Sequence, residues 1–323
     1  MAPRLDVSAV SLVLGVPLYG SGEHLQEALE SLLAQTQPAL ALVLCDDGPG
    51  EGARAVVEAV VADDSRVTYR RNERRLGLVE NWRRTFEVAG ELHPEARYFG
   101  WASDHDACHP RWAERLVDAL ERSPAAVLAY GRTYQFDSER RVVHEVDRFD
   151  TAGVLDPQER LAAALRRMRA GDMVYGVYRR EPMQRSGIIR RLLLPDRLLL
   201  AELSVQGEFV HVPRALRYRR VTGRATLARQ RASLFRGPVT AYARLPWWLV
   251  HTAAFAWAIT VGGSGAGLDG STRARLIAAH ARGNFAFALR SRIGRVIDWG
   301  GRVVRRGLVR TAGFVRSLRP HAR

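Results

Sequence analysis

Short apolar segments alternate with helical patterns over about the first 120 residues of the chain. The apolar segments are rich in β-branched and other apolar side chains, which is typical of buried strands. Between them, apolar residues recur every three or four positions, which indicates helices. The predicted strands are 10–16, 40–45, 66–70 and 98–102, and the predicted helices are 25–33, 53–61, 79–89 and one that begins near 110. Alternation with short connections predicts an α/β fold, a parallel sheet covered by helices on both faces.

Each predicted strand runs directly into a loop with polar or conformationally restricted residues. These loops are 17–20, 46–48, 70–75 and 103–106. In parallel sheets, ligands bind at the carboxyl ends of the strands. We therefore expect the four loops to meet at one edge of the sheet and to form a binding site there.

The last of these loops carries two carboxylates, Asp104 and Asp106, just past an apolar strand. Carboxylates are costly to bury unpaired, so their position requires a partner. A divalent cation such as Mg²⁺ or Mn²⁺ is a suitable one, because hard ions take carboxylate oxygens and keep positions open for phosphate. The alternative is an ordinary strand-to-helix turn in which Asp106 or His109 caps the next helix.

The composition is that of an ordinary globular protein, with 47% apolar and 26% charged residues, which excludes a disordered chain. A length of 323 residues allows one large or two modest domains. The two cysteines, Cys45 and Cys108, form no disulfide framework and indicate a reducing cytoplasm. The first ten residues lack the pattern of a signal peptide, so we expect the body of the protein to stay inside the cell.

The positive charge is concentrated at the C-terminus. Residues 271–323 contain 13 Arg and one acid, Asp298, and so carry +12 of the total of +15. The first 270 residues are close to neutral, at +3. A basic stripe over the whole protein would indicate nucleic acid, whereas a near-neutral body with a basic tail indicates a surface anchor.

Five segments in unbroken order resemble the successive motifs of family-2 glycosyltransferases. They read VSLVLGVPLYG, SLLAQT, LVLCDDG, RNERRLGLVEN and WASDHDACHP. The resemblance covers residues 9–135, with a weaker match to about 220. It implies a GT-A (Rossmann-like) fold, a mostly parallel sheet flanked by helices, and a nucleotide-diphosphate sugar as the donor.

The resemblance also implies roles for residues of the four loops. Pro17 and Tyr19 would border the nucleobase, and Asp46 or Asp47 would accept hydrogen bonds from the base or ribose, although an ordinary Asx turn is the alternative. One arginine of the 70–75 loop would reach the nucleotide.

Asp104 and Asp106 resemble the family's metal motif, with Asp104 also at the nucleotide and Asp106 as the preferred direct ligand of Mn²⁺ or Mg²⁺. His105 stands where relatives often carry an acid. We expect it to be exposed to solvent or to contact the ligands, and direct binding of the metal is the alternative.

Inverting transfer needs a base to deprotonate the acceptor hydroxyl. The family places an acid at the start of a helix in the second half of the domain, which corresponds here to Asp196 in LPDRLLLAE. Helix capping is the alternative role for Asp196. Glu202 would face away from the reacting atoms, and the strand-like segment 171–178 would line the acceptor side. The Gln-x-x-Arg-Trp motif of processive synthases is absent, which favours transfer of one sugar.

The composition changes after residue 220, so we predict a GT-A domain over 1–220 and a helical, basic, membrane-associating extension over 221–323. Residues 245–261 contain no formal charge and three Trp. An interfacial or re-entrant helix is favoured there over a core helix or a membrane span. From Phe285 onward, apolar residues alternate with arginines in the pattern of a helix on an anionic membrane. Nucleic-acid binding by this tail is the competing interpretation.

Together these features predict a metal-dependent, inverting, hexosyltransferase-like enzyme of cell-wall or polysaccharide biosynthesis. Its acceptor would be a lipid-linked or cell-surface glycan, and its location the inner face of the cell membrane, as a peripheral protein with no nucleic-acid partner. The alternative is a non-catalytic, membrane-associated adaptor that keeps the fold. His105 and the absence of the family's usual Glu-Asp pair support that alternative. We also expect truncation before Ser271 to release the protein from membranes while sparing donor binding.

Overall fold

The computed structural model describes residues 10–20, 24–61, 64–136, 142–145, 149–168, 171–220, 227–235 and 244–290. Its strands are β1 (Leu12–Leu18), β2 (Leu40–Asp46), β3 (Val67–Arg71), β4 (Tyr98–Trp101), β5 (Ala107–Cys108), β6 (Ala126–Phe136), β7 (Val142–Glu145), β8 (Val177–Arg179) and β9 (Glu208–Arg220). Its helices are α1 (Leu25–Leu33), α2 (Gly52–Val61), α3 (Leu78–Leu92), α4 (Trp112–Arg122), α5 (Pro157–Arg167), α6 (Arg180–Arg185), α7 (Pro195–Gln206), α8 (Leu227–Leu234) and α9 (Trp247–Thr260). Residues 270–290 are also helical and are called α10.

The strands of the described residues form one sheet in the order β3-β2-β1-β4-β8-β6-β9-β5, with β7 beside β6. The first four strands in this order are parallel to their neighbours. β8 runs antiparallel to β4 and β6, β9 runs parallel to β6, and β5 runs antiparallel to β9. The predicted α/β sheet flanked by helices is confirmed, and its second half is mixed because the regular strand–helix alternation ends after α4.

Both faces of the parallel strands are buried. On β1, Leu12 and Leu14 pack with α1, α2 and α4, whereas Val13 faces the opposite side, where α3 and α7 lie. Burial on both faces explains why these strands are continuously apolar rather than alternating.

The segment 171–178 is not one strand. It begins as a 3₁₀ helix, Gly171–Tyr175, and only then enters β8. The turn places Asp172 beside Arg217 and Arg219 of β9, with which it forms ion pairs. Tertiary contacts therefore override the strand-like pattern of apolar residues.

The C-terminal helices pack onto the sheet domain. Phe255 and Ile259 of α9 and Leu276 of α10 share a core with residues of α5 and α7, among them Leu161 and Leu198. The division at residue 220 stays a prediction, but residues 244–290 complete a core that begins in the preceding domain.

The uncharged segment 245–261 contains α9, whose two faces differ. His251, Phe255, Ala258 and Ile259 are buried, whereas Trp257 on the other face is 55% exposed. None of the described helices is long and apolar enough to cross a bilayer. α9 therefore has the buried face of a core helix and an apolar outer face. Most of the predicted basic tail, residues 291–323, lies outside the described residues.

Candidate functional site

The four loops predicted to meet at one sheet edge do so. The amide of Asp47 donates to Leu18 O (3.0 Å), and that of Asn72 donates to Asp46 O (2.9 Å). On the other side of β1, the amide of Ala102 donates to Gly15 O (2.9 Å). These backbone hydrogen bonds continue the parallel register past the strand ends and hold the loops side by side.

Asp47 organises the loop that follows β3. Its Oδ1 accepts from Leu76 N (2.6 Å) and from Asn72 Nδ2 (3.0 Å), and its Oδ2 accepts from Gly77 N (2.7 Å). Gly77 has φ 87°, a left-handed conformation that favours glycine. The Asp47 residue is only 4% exposed, so its carboxylate oxygens are used to shape the loop and the start of α3.

Asp46 is fully buried. It accepts from Gly48 N (2.8 Å), which forms the Asx turn named as the alternative for this pair, and from the hydroxyl of Tyr69 (2.6 Å). Burial and the Asp46 carboxylate raise the pKa of Tyr69, so its hydroxyl stays protonated and donates. Both acids of the Asp46–Asp47 pair are therefore satisfied internally, and a nucleotide contact by either one stays a prediction.

Tyr19 presents an open aromatic surface at the end of β1, where it is 44% exposed. The guanidinium of Arg75 lies 4.8 Å from its ring centroid and hydrogen-bonds its hydroxyl. Pro17, also at the end of β1, is half-buried beside Cys45 of β2. Of the loop arginines, Arg75 is thus the one that lies against Tyr19, an arrangement that offers a stacking face and a phosphate-binding cation together.

The Asp104–Asp106 motif contains two carboxylates in different environments. Asp106 is 5% exposed; its Oδ2 pairs with Arg217, and its Oδ1 accepts from Arg220 N (2.9 Å). Asp104 is half-buried, and its Oδ1 lies 2.6 Å from Nδ1 of His105. The hydrogen bond to Asp104, together with the charge of Asp106, raises the pKa of His105.

A buried charge network joins this motif to the second half of the domain. Arg217 lies between Asp106 and Asp172, 3.2 Å from Asp172 Oδ1, and 4.0 Å from the ring centroid of Tyr175. Arg219 pairs with the same Asp172 at 3.0 Å. Arg217, Arg219 and Asp172 were not among the site residues predicted from the sequence. The sequence did carry a signal for them: Arg217 and Arg219 are two positions apart on a strand, so both lie on the same face of the sheet. Cations buried on such a face need acidic partners.

Asp196 occupies the second position of α7, after Leu194 at the N-cap position and Pro195. Burial raises its pKa, with the charge of Asp172 adding to the effect and Arg197 opposing it. The helix α7 also contacts the 3₁₀ turn Gly171–Tyr175, which carries Asp172 of the network that holds Asp106. A carboxylate with a raised pKa is suited to taking a proton. Glu202 pairs with Arg190 and accepts a hydrogen bond from Ser264.

A cation at the Asp104–Asp106 motif would have to be shared with a substrate. In the part of the chain that the structure describes, no group of three or more His, Cys, Asp or Glu side chains could hold a metal ion. Of the two acids, Asp104 is the more accessible, because each carboxylate oxygen of Asp106 already accepts a hydrogen bond, from Arg217 or from Arg220 N. Mg²⁺ typically binds through one or two carboxylates and completes its shell with water and phosphate oxygens.

Comparison with known proteins gives a consistent assignment. The sequence model described as "Glycosyl transferase family 2" matches residues 14–192, more than half of the chain. Glycosyltransferase GlyG of Streptococcus pneumoniae is 25% identical over 122 residues, which span 38% of each protein. The crystal structure of S. aureus TarS 1–349 in complex with UDP-GlcNAc has a TM-score of 0.59 at 14% identity, covering 86% of this chain and 73% of that one. The UDP complex of TarS 1–349 has a TM-score of 0.52 at 14% identity, covering 86% and 91%. These structural matches show a shared GT-A fold.

Proposed function

Because the chain belongs to glycosyl transferase family 2, we propose that it transfers a single sugar from a nucleotide-diphosphate sugar to a lipid-linked or cell-surface glycan, with inversion. The observation that carries this proposal is the network Asp106–Arg217–Asp172, because Asp172 lies in the 3₁₀ turn that contacts α7, the helix of Asp196. It links the acidic motif of one half of the domain to the turn that contacts the helix of the other acid.

The donor would bind along the edge formed by β1, β2 and β3. The open face of Tyr19 would stack on the base, and Arg75 would contribute a cation for the phosphates. The presence of UDP-GlcNAc in the related TarS structure supports a nucleotide sugar as the donor class.

A divalent cation, Mn²⁺ or Mg²⁺, would be held by Asp104 and Asp106. When bound, it would neutralise negative charge on the leaving diphosphate. Arg217 and the amide of Arg220 each bond one carboxylate oxygen of Asp106, so the orientation of this carboxylate is fixed before any donor arrives.

Asp196 would act as the general base. The acceptor hydroxyl gives its proton to the Asp196 carboxylate while its oxygen forms a bond to the anomeric carbon. The bond from that carbon to the phosphate oxygen breaks on the opposite face, and the nucleotide diphosphate leaves with the electron pair. The raised pKa of Asp196 brings its basicity closer to the working pH.

A donor panel tests this function directly. UDP-, GDP- and dTDP-sugars would be screened by thermal shift with Mn²⁺ or with chelator. Turnover of the donors that bind would then be measured as release of the nucleotide diphosphate. We expect stabilisation that requires the metal, and turnover that falls about 10²–10⁴-fold in Asp196→Asn with donor affinity nearly unchanged. Binding without any turnover, in wild-type and variant alike, would instead support a non-catalytic adaptor.

The same proposal places the protein on the cytoplasmic face of an anionic membrane, through α9 and α10. Six of the nine exposed large apolar side chains of the described residues belong to this region: Leu245, Leu249, Trp257, Val261, Phe285 and Leu289. Residues 244–290 contain five Arg and a single acid, Asp269. Exposed Trp, Leu and Phe beside arginines are typical of helices that lie at an anionic lipid surface.

Co-sedimentation of the full chain with phosphatidylglycerol vesicles tests this surface. We expect the double variant Leu249→Ser/Trp257→Ser to bind about tenfold more weakly or worse, since burying each side chain is worth about 1.5–3 kcal/mol. Leu155→Ser is the matched control, because Leu155 is 83% exposed and lies outside this region. If the double variant binds like the control, the anchor is the basic tail and not the α9–α10 surface.

A further inference from the structure

The turn that carries Asp196 has an unfavourable backbone conformation. Leu194, two residues before Asp196, has φ 54° and ψ 51°, in the left-handed region. A leucine there is an outlier, because its Cβ crowds the backbone. Such conformations persist only where the surrounding structure enforces them, and they cluster at functional sites.

Three side chains from beyond residue 220 hold this turn. Oε1 of Gln230 on α8 accepts from Leu194 N (2.9 Å). Nε2 of His251 on α9 lies 2.6 Å from Leu193 O, and Oδ1 of Asn284 on α10 accepts from Arg197 Nε (2.7 Å). Each of the three C-terminal helices α8, α9 and α10 thus contributes one polar contact to residues 193–197.

Two of these side chains are polar groups inside an apolar core. His251 and Asn284 are fully buried beside the ring of His280, which stacks on Phe255, so each needs a hydrogen-bond partner inside the core. Burial lowers the pKa of His251 to about 4, so the ring is neutral near pH 7 and donates its Nε2 proton to Leu193 O.

Residues of α5 and α10 contact the side chain of Arg197. Besides Asn284, its guanidinium donates to Leu165 O (2.8 Å) and Met168 O (3.1 Å), and it lies 4.3 Å from the ring centroid of Phe287. These contacts tie the side chain of the residue that follows Asp196 to α5 and α10.

We infer that Gln230, His251 and Asn284 are positioning residues for Asp196, so that the C-terminal helices belong to the catalytic unit. The inference rests on the proposed role of Asp196 as the base. Without these contacts the turn would relax toward an ordinary conformation and move the carboxylate. A displacement of about 1 Å at a reacting group costs about 10²-fold in rate.

The first test uses the full-length protein without any donor. Exchange of the amide hydrogens of Leu193, Leu194, Asp196 and Arg197 is measured in Asn284→Ala and Gln230→Ala, in the conservative variants Asn284→Asp and Gln230→Glu, and in Ser264→Ala. Ser264 is the matched control because it is also buried beyond residue 220 and bonds α7, but at Glu202 (2.8 Å) rather than at the turn. We expect at least tenfold faster exchange in both alanine variants, with partial or full restoration in the conservative ones, which keep the acceptor oxygen. Unchanged exchange in both alanine variants, or equal acceleration in Ser264→Ala, would overturn the inference.

The second test follows turnover of the nucleotide sugar that proves active. We expect kcat to fall about 10- to 100-fold in Asn284→Ala with the donor KM unchanged, and no further loss when Asn284→Ala is added to Asp196→Asn. An additive loss in the double variant would mean that Asn284 does not act through Asp196. Wild-type turnover of Asp196→Asn alone would instead refute the base, while the exchange result would still decide whether these residues hold the turn.

Discussion

The two halves of the site are built differently. At the edge formed by β1, β2 and β3, the acids are satisfied within that edge, by partners no more than 30 positions away: Asp46 by Gly48 and by Tyr69 of β3, Asp47 by Asn72, Leu76 and Gly77. In the second half, the ion pairs join residues distant in sequence, as in Arg217 with Asp106 and Asp172. The first half can therefore take shape as its strands assemble, whereas the second requires β9 and the C-terminal helices to be in place.

Removal of α10 should have the largest effect. A chain that ends at residue 270 loses Leu276, His280 and Asn284, all fully buried. We expect it to lose cooperative unfolding or to express as aggregate, whereas a chain that ends at residue 290 should fold. This changes the sequence-based expectation that truncation before Ser271 spares donor binding, because α10 completes a core shared with α5 and α7. Thermal denaturation followed by circular dichroism checks both chains, and equal midpoints would contradict the shared core.

Among single substitutions, Arg217→Met should be the most damaging to stability. It leaves Asp106 and Asp172 buried beside each other without the cation between them. Breaking a buried pair typically costs about 3–5 kcal/mol, which urea unfolding would measure. Arg219→Met is the control, since the Arg219 side chain is 36% exposed and should contribute no more than about 1 kcal/mol. Similar losses in the two variants would show that the buried network contributes little beyond surface pairing.

Asp47→Ala should cost less and act locally. It leaves the amides of Leu76 and Gly77 without their acceptor, which should lower the free energy of unfolding by about 1–3 kcal/mol. We expect the 72–77 loop to lose order and UDP binding to weaken, because Arg75 is carried by that loop. Exchange protection of the Leu76 amide and calorimetry with UDP are the measurements. Unaltered protection of that amide would argue against Asp47 as the organiser of the loop.

Asp196→Asn should have the smallest effect on stability, and in the stabilising direction. The folded pKa of Asp196 is raised above the unfolded value by burial, so folding disfavours the charged form. Its contribution to stability is present below the unfolded pKa and is lost as pH rises through the folded pKa. At pH 7 the Asn variant should therefore melt slightly higher than wild type, and at about pH 3 the difference should shrink. A lower melting point at pH 7 would indicate that Asp196 serves mainly as a helix cap.

Much of the first half could be read from its sequence because its determinants are local. Apolar periodicity predicted β1 to β4 and α1 to α4, and the carboxyl-end rule predicted where their loops meet. Asp104 and Asp106 stood out because acids directly after a buried strand need a partner. The 3₁₀ turn at Gly171–Tyr175 could not be read, because the ion pairs of Asp172 with Arg217 and Arg219 outweigh a local pattern that resembles a strand.

The sequence by itself determined the α/β class, the edge where the loops converge and the acids that line it, because periodicity and loop chemistry act over a few residues. Only the tertiary structure decided that Asp106 is paired with Arg217, and that the turn before Asp196 is held by Gln230, His251 and Asn284. Those contacts join residues that are 36 to 111 positions apart, and their partners become defined only when separate helices and strands pack. The sequence can show that a buried polar group needs a hydrogen-bond partner, but only the folded structure determines which residue that partner is.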